Sequence, residues 1–232
     1  MPDHSLHLLT NIVWHSLVGP QAPVSTGGDG ARRYASGFSP IVAFEDMTRP
    51  NFAALAPYCE PGEHLYCSGW SGPAPAGWAI HAEAVLVKMV WEAPAPAPAP
   101  DAGAAAVRLG SEHVPQMLDL VALTKPGPFG PRTIELGEYF GAFDGPRLVA
   151  MAGERMFAGP LREVSGVCTH PEFQGRGLAR ELMQLLLRRE LQRGETPFLH
   201  VMRDNRSAHA MYQRMGFRDH QEQVVRVLSR VA

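Results

Sequence analysis

The chain has 232 residues, 45% of them hydrophobic, with 21 Lys plus Arg against 23 Asp plus Glu. This suffices for one large or two small packed units, and the near-neutral charge argues against nucleic-acid or acidic-membrane partners. Cys59, Cys67 and Cys168 form no C-x-x-C pair and suit a reducing, cytoplasmic setting, and the ten histidines show no ligand spacing, so no metal site is expected. Met1 to Thr10 lacks a basic start and apolar run, and no stretch of about 18 apolar residues occurs, so neither export nor membrane spanning is expected.

In chain order, Leu6 to Leu17 has the apolar content of a helix that Gly19-Pro20 ends, and Pro20 to Gly30 is rich in turn formers. Pro40 to Phe44 reads as a short strand, and Phe52, Leu55 and Ala56 as one face of a brief helix stopping before Pro57. His64 to Trp70 and Trp78 to Trp91 are strands, the second with clean alternation from His81 to Val90. Residues 93–104 then change character: Ala-Pro repeats followed by small residues make a semi-rigid linker. The expected organisation is a lobe over 1–92, a linker over 93–104 and a second unit over 105–232. Trp14, Trp70, Trp78 and Trp91 all fall in the first lobe, apolar area that calls for burial against something. We expect this lobe to dock on the second and to help wall its cleft with the Lys125 to Arg132 loop.

Past the linker, Ala105 to Leu109 is a short strand, and Val114, Met117, Leu118, Val121 and Ala122 mark a helix face after Ser111. Three prolines in Lys125 to Arg132 require a loop. Asp144-Gly145 between Gly137–Phe143 and Arg147–Phe157 signals a hairpin, and Gly159-Pro160 a second turn into Leu161–His170. Next comes the stretch with the most chemistry, a strand running through a Gly-rich elbow into a helix with Leu178, Leu182, Leu185 and Leu186 on one face. Gln174, Gly175, Arg176, Gly177, Leu178 and Ala179 present free backbone N–H groups at a helix N-terminus, where the dipole favours an anion such as phosphate. Pro197 to Met202 is a strand that a right-handed crossover places parallel to the elbow strand. Asn205 to Phe217 is a helix of about three turns, with Asp204 or Asn205 as cap and Gly216 at its end.

The elbow resembles motif A of the GNAT superfamily of acetyl-CoA-dependent acyltransferases, Q/R-x-x-G-x-G/A, with Gln174, Gly177 and Ala179 in place. Asn205, Tyr212, Gly216 and Phe217 resemble its motif B. The resemblance covers residues 105–232 and is close to a bacterial branch with unassigned substrates. It implies an α/β chain, an α+β mixed sheet with a GNAT-like fold in the C-terminal half and a mixed, degenerate GNAT-like lobe before it. It also implies acetyl-CoA as acyl donor, its pyrophosphate in the elbow, and an N-acetyltransferase acting on a primary amine of a small molecule or peptide, as monomer or homodimer. Backbone groups of Val167, Cys168 and Thr169 would meet the thioester carbonyl, Asn205 the pantetheine arm, and Tyr212 would act as acid. Glu163, eleven positions before Gln174, is the favoured base, with its pKa expected to rise on burial and its side chain on one strand face with Ser165, Val167 and Thr169. His200, Glu154 and a water chain are the alternatives, and the non-catalytic reading of Glu163 is a solvated strand-end carboxylate paired with Arg162 or Arg155. A non-catalytic coenzyme-binding sensor or scaffold is the other reading, against which the presence of both an acid and a base stands.

Overall fold

The computed structural model describes residues 5–97 and 106–231. Its centre is one sheet of eleven strands: β1 (Ser25–Thr26), β2 (Ala31–Tyr34), β3 (Ile41–Phe44), β4 (Leu65–Ser68), β5 (Trp78–Trp91), β6 (Val107–Arg108), β7 (Tyr139–Asp144), β8 (Arg147–Ala158), β9 (Leu161–Thr169), β10 (Thr196–Met202) and β11 (Phe217–Arg230). Their order across the sheet is β1-β2-β3-β4-β11-β5-β10-β9-β8-β7-β6. The helices are α1 (Ile12–Val18), α2 (Phe52–Leu55), α3 (Val114–Thr124), α4 (Leu178–Gln192) and α5 (Arg206–Met215).

The hairpins follow the turn chemistry: Gly145 sits at φ 56 between β7 and β8, and Gly159 at φ 55 between β8 and β9. The crossover through α4 sets β10 parallel to β9, as expected. The N-terminal apolar run is part helix only, a 3-10 turn over Leu6–Asn11 before α1. Three strands escaped the sequence reading. β1 lies inside the turn-rich 20–30 stretch, β2 follows it directly, and β11 is a long strand with exposed polar residues at its start.

The expected linker falls largely on 98–104, outside the described residues. On either side of it the halves share the sheet. β5, from before the linker, lies between β11 and β10, both from after it. β5 and β11 are each 14 residues long and pair antiparallel, so each half inserts its last strand into the other. Trp91 at the end of β5 packs edge-on against Phe217 at 5.2 Å, in the apolar cluster of α4 and α5.

One sheet face is covered by α4 and α5 through Leu182, Met183, Leu186 and Tyr212. On the other, α1 buries Ile12, Val13 and Leu17 against Tyr34, Ile41 and Phe198, and α3 covers Tyr139 and Cys168. Parity on β10 follows the period of two: Leu199 and Val201 join the first face and Phe198 the second, which sends His200 to the α1 side.

Candidate active site

β9 and β10 pair only at their starts, Thr196 with Leu161, Pro197 with Arg162 and Phe198 with Glu163. Beyond Glu163 they part, and the backbone of Val164 to Thr169 loses its partner on that side. A cleft of about 1570 Å³ runs through the gap, lined by the ends of both strands, the elbow and α5. On the α1 side its walls come from the N-terminal half, among them Tyr66, Ala82 and Ala84. Lys125 to Pro128 form a further wall, held because the Pro128 carbonyl accepts from Ser39 Oγ at 3.0 Å and Arg155 Nη1 at 3.3 Å.

At the elbow, Gly175 and Gly177 adopt φ 78 and 83, a region open to glycine. A Cβ at Gly175 would meet nothing within 4 Å, so the turn is open on that side. Gly177 precedes the 15-residue α4 with no side-chain cap, so among the described residues no cap meets the first N–H groups, those of Leu178 and Ala179. Gln174 Nε2 donates to the Thr169 carbonyl at 3.3 Å and Arg176 stacks over Phe173 at 4.6 Å, which fixes the loop from both ends. An open, uncapped N-terminus of this kind fits a phosphate-bearing ligand. All six elbow residues line the cleft. Asn205 caps α5, its Oδ1 accepting from the Ala208 N–H at 3.2 Å, and also borders the cleft.

The strand-face expectation for Glu163 is corrected by a bulge. Gly166 sits at φ 64 where the register with β8 shifts between Met151 and Gly153, so the extra residue breaks the alternation. Val164 and Val167 therefore both pack on the α4 face, while Cys168 turns to α3. Glu163 lies opposite Val167, on the α1 side. It is fully buried, accepting from Arg155 Nε at 2.9 Å, Arg155 Nη2 at 2.7 Å and His200 Nδ1 at 2.8 Å.

The direction of its pKa is also opposite to the one expected. Burial pushes the carboxyl up, but the Arg155 guanidinium and the His200 hydrogen bond outweigh it and hold it at about 2. Glu163 is thus a fixed anion. His200 is lowered from its ordinary 6.5 by burial, with the Glu163 hydrogen bond opposing, so its ring is neutral at pH 7. Since a carboxylate only accepts, Nδ1 carries the proton and Nε2 keeps its lone pair. His200 lines the cleft, and Nδ1 makes its one hydrogen bond among the described residues.

Glu154 does not border the cleft; it is engaged by Arg193 and by the Glu138 N–H at 3.3 Å. Tyr212 does border it, buried beside Phe217 at 6.1 Å, and burial raises its hydroxyl to about 12. Cys168 is likewise pushed up by burial, to about 11, and stays a thiol.

Sequence reasoning missed Tyr139 and Lys88. Arg155 was weighed with Arg162 as a partner of Glu163, and the structure gives that pairing to Arg155, in a buried rather than a solvated setting. Tyr139 lies over Gly153 and Gly166, where a Cβ would crowd its ring, and its buried hydroxyl has no partner among the described residues. Lys88 pairs across the strands with His200, donates to the Leu9 carbonyl, and is lowered to about 7 by burial with Glu163 opposing. The two glycines around an aromatic, and a lysine in an apolar strand, were the available signals.

The FR47-like protein family matches residues 139–227. The N-alpha-acetyltransferase RimI of Mycobacterium tuberculosis is 39% identical over 82 residues, 34% of this chain and 51% of that protein, so the chain spans about half the length of this curated relative. A crystal structure of a GNAT-family protein from Novosphingobium aromaticivorans matches with TM-score 0.86 and 33% identity, over 97% of this chain and 100% of that one. An acetyltransferase from the GNAT family of Colwellia psychrerythraea shares the fold at 15% identity, TM-score 0.50, over 65% of this chain and 58% of its own.

Proposed function

This chain belongs to the GNAT family of acetyltransferases, and from that premise we propose that it transfers an acetyl group from acetyl-CoA to a primary amine, with His200 as base, Glu163 as the residue that orients it, and Tyr212 as acid. The observation that carries this reading is the pair His200–Glu163 at 2.8 Å, set in the cleft with Nε2 unengaged among the described residues.

Acetyl-CoA, when bound, supplies an activated acyl thioester. Gln174 to Ala179 would hold its phosphates on the uncapped start of α4, and Asn205 would face the pantetheine arm. The amine must lose a proton to attack. Neutral His200 has a lone pair on Nε2 to take it, and the imidazolium so formed is stabilised by the Glu163 anion on the other nitrogen. Glu163 itself is a poor base, because a carboxyl held at about 2 is fully ionised and already occupied by Arg155. On the side of β9 that faces away from β8, Val167 to Thr169 have no register partner on β10, and an N–H group on that side is suited to an oxyanion. Tyr212, protonated up to about pH 12, is suited to give a proton to the departing thiolate.

The bound on the acceptor is a small molecule or a peptide with a primary amine, and a cleft of about 1570 Å³ lined from both halves of the chain supports either. Thiol release from acetyl-CoA measured against an amine panel tests the reading. Amine-dependent release that is lost in His200→Gln supports it; release unaffected by that substitution would remove His200 from the reaction.

A further inference from the structure

Past the His200–Lys88 pair the α1 face of the sheet continues as a wall of the same cleft; Gln223, beside Leu86, is tied to the Thr10 carbonyl at 2.8 Å, and the residues beyond it border the cleft. Register sets Met202 beside Leu86, Ala84 beside Val225 and Val225 beside Ser68; one step further Ala82 lies beside Val227 and Val227 beside Tyr66. Register partners project to the same side. Tyr66 packs against the α1 cluster that also holds Phe198, which puts this strip on the His200 side. Ala82 is exposed and Ala84, Leu86, Val225 and Val227 are half-buried. They line the same cleft as His200. From Lys88 to Ala82 the strip runs about 20 Å, at ~3.3 Å per residue. Apart from Gln223 beside Leu86 and Ser68 beside Val225 the strip is apolar, and an apolar wall continuous with a polar reaction centre is what a binding groove exposes.

Its charge is as informative as its apolarity. The carboxylates lining the cleft among the described residues are Glu83 and Glu163. Glu83 is paired with Arg226 Nη2 at 2.7 Å and Glu163 with Arg155 at 2.7 Å. Lys125, on the opposite wall, adds a cation. A second ammonium on an acceptor would find no free counter-charge, and its desolvation on the strip would count against binding. Resting on the amine-transfer reading above, we propose that the acceptor is a primary monoamine on an apolar body. The body lies along the strip from Leu86 towards Ala82 with the amine at His200 Nε2, and polyamines are rejected.

The test uses the full chain at saturating acetyl-CoA and three acceptors: phenethylamine, a tripeptide with a free N-terminal phenylalanine, and spermidine. One of the first two is expected to exceed spermidine in kcat/KM by at least about tenfold, and the better of the two tells a free amine from a peptide terminus. Ala84→Glu places a carboxylate on the strip. It is expected to raise KM for the apolar acceptor about tenfold and to narrow its lead over spermidine, with the Kd for acetyl-CoA unchanged. Ala82→Glu, at an exposed position, gives the same readout if Ala84→Glu melts early. A wild-type preference for spermidine, or folded variants with an unchanged preference, would overturn the proposal. No release with any of the three amines would sink the transfer reading itself, and this one with it.

Discussion

Two parallel crossovers in this sheet have the same plan and opposite outcomes. In the C-terminal half β9, α4 and β10 pair at their starts and then part around a cleft. In the N-terminal half β3, α2 and β4 pair through Ile41 with Tyr66 and Val42 with Cys67, then also stop. There, however, the helix has four residues and is capped, Asn51 Oδ1 accepting from the Ala54 N–H at 3.0 Å. Phe52 fills the space beside it, 4.6 Å from Phe44, 4.9 Å from Trp70 and 5.1 Å from Trp78. The Asn11 side chain occupies the end of β3 by donating to the Phe44 carbonyl at 2.8 Å. In the C-terminal half the 15-residue helix begins at two left-handed glycines without a cap. A parted strand pair is therefore only a frame. What makes one frame a candidate site is an unsatisfied helix start and the absence of aromatic filling, whereas the other frame has become core.

The most severe way to break the comparison is to separate the halves. A chain starting at Ala102 lacks β5, leaving β10 and β11 without the strand between them and exposing Phe217 where Trp91 packs. It is expected to show no cooperative thermal transition by circular dichroism; a normal melt would mean that the exchanged strands are dispensable.

Filling is tested next. Phe52→Ala should cost about 3–5 kcal/mol in urea unfolding, as buried phenylalanine truncations do, while acetyl-CoA affinity stays as in wild type. A loss of coenzyme affinity as large as the loss of stability would tie the aromatic cluster to the site after all.

Smaller effects are expected from the polar groups of the open crossover. His200→Gln and Tyr212→Phe should each lower kcat by about 10²-fold or more with little change in coenzyme Kd. Equal losses in binding and rate would make them packing residues instead.

The smallest effect is on pH. His200 has a folded pKa below its ordinary 6.5, so the stability linked to its neutral form is present above 6.5 and is lost as pH falls below it. Glu163 is depressed from 4.5 to about 2, so its contribution is lost only as pH falls from 4.5 towards 2. The acidic limb of kcat should lie below pH 6.5 and vanish in His200→Gln. A limb at or above 6.5 in the wild type would mean that His200 is not held neutral.

Much of the open crossover was legible because its signals are local. Gly175, Gly177, the leucine spacing of α4 and the Asn205 cap each act within a few residues. The Asp144-Gly145 turn was readable for the same reason. What sequence did not yield depends on pairings across the chain. The strand exchange rests on β5 meeting β10 and β11 over more than a hundred residues. Glu163 read as a base from its offset to Gln174 and from the rise in pKa that an apolar setting implies, but its state is set by Arg155 across the β8–β9 bulge and by His200 on the next strand. One glycine, Gly166, turned the predicted face over, since a bulge is invisible to an alternation count.

The central claim is that the chain binds one coenzyme, in the C-terminal crossover alone. Titration calorimetry of acetyl-CoA into the full chain and into Gly177→Glu measures it directly. The side chain and charge introduced at φ 83 fall at the mouth of the uncapped helix. The account predicts a single site per chain in the wild type and an affinity loss well beyond the tenfold that about 1.4 kcal/mol represents in the folded variant. Two sites in the wild type, or unchanged binding by folded Gly177→Glu, would contradict it.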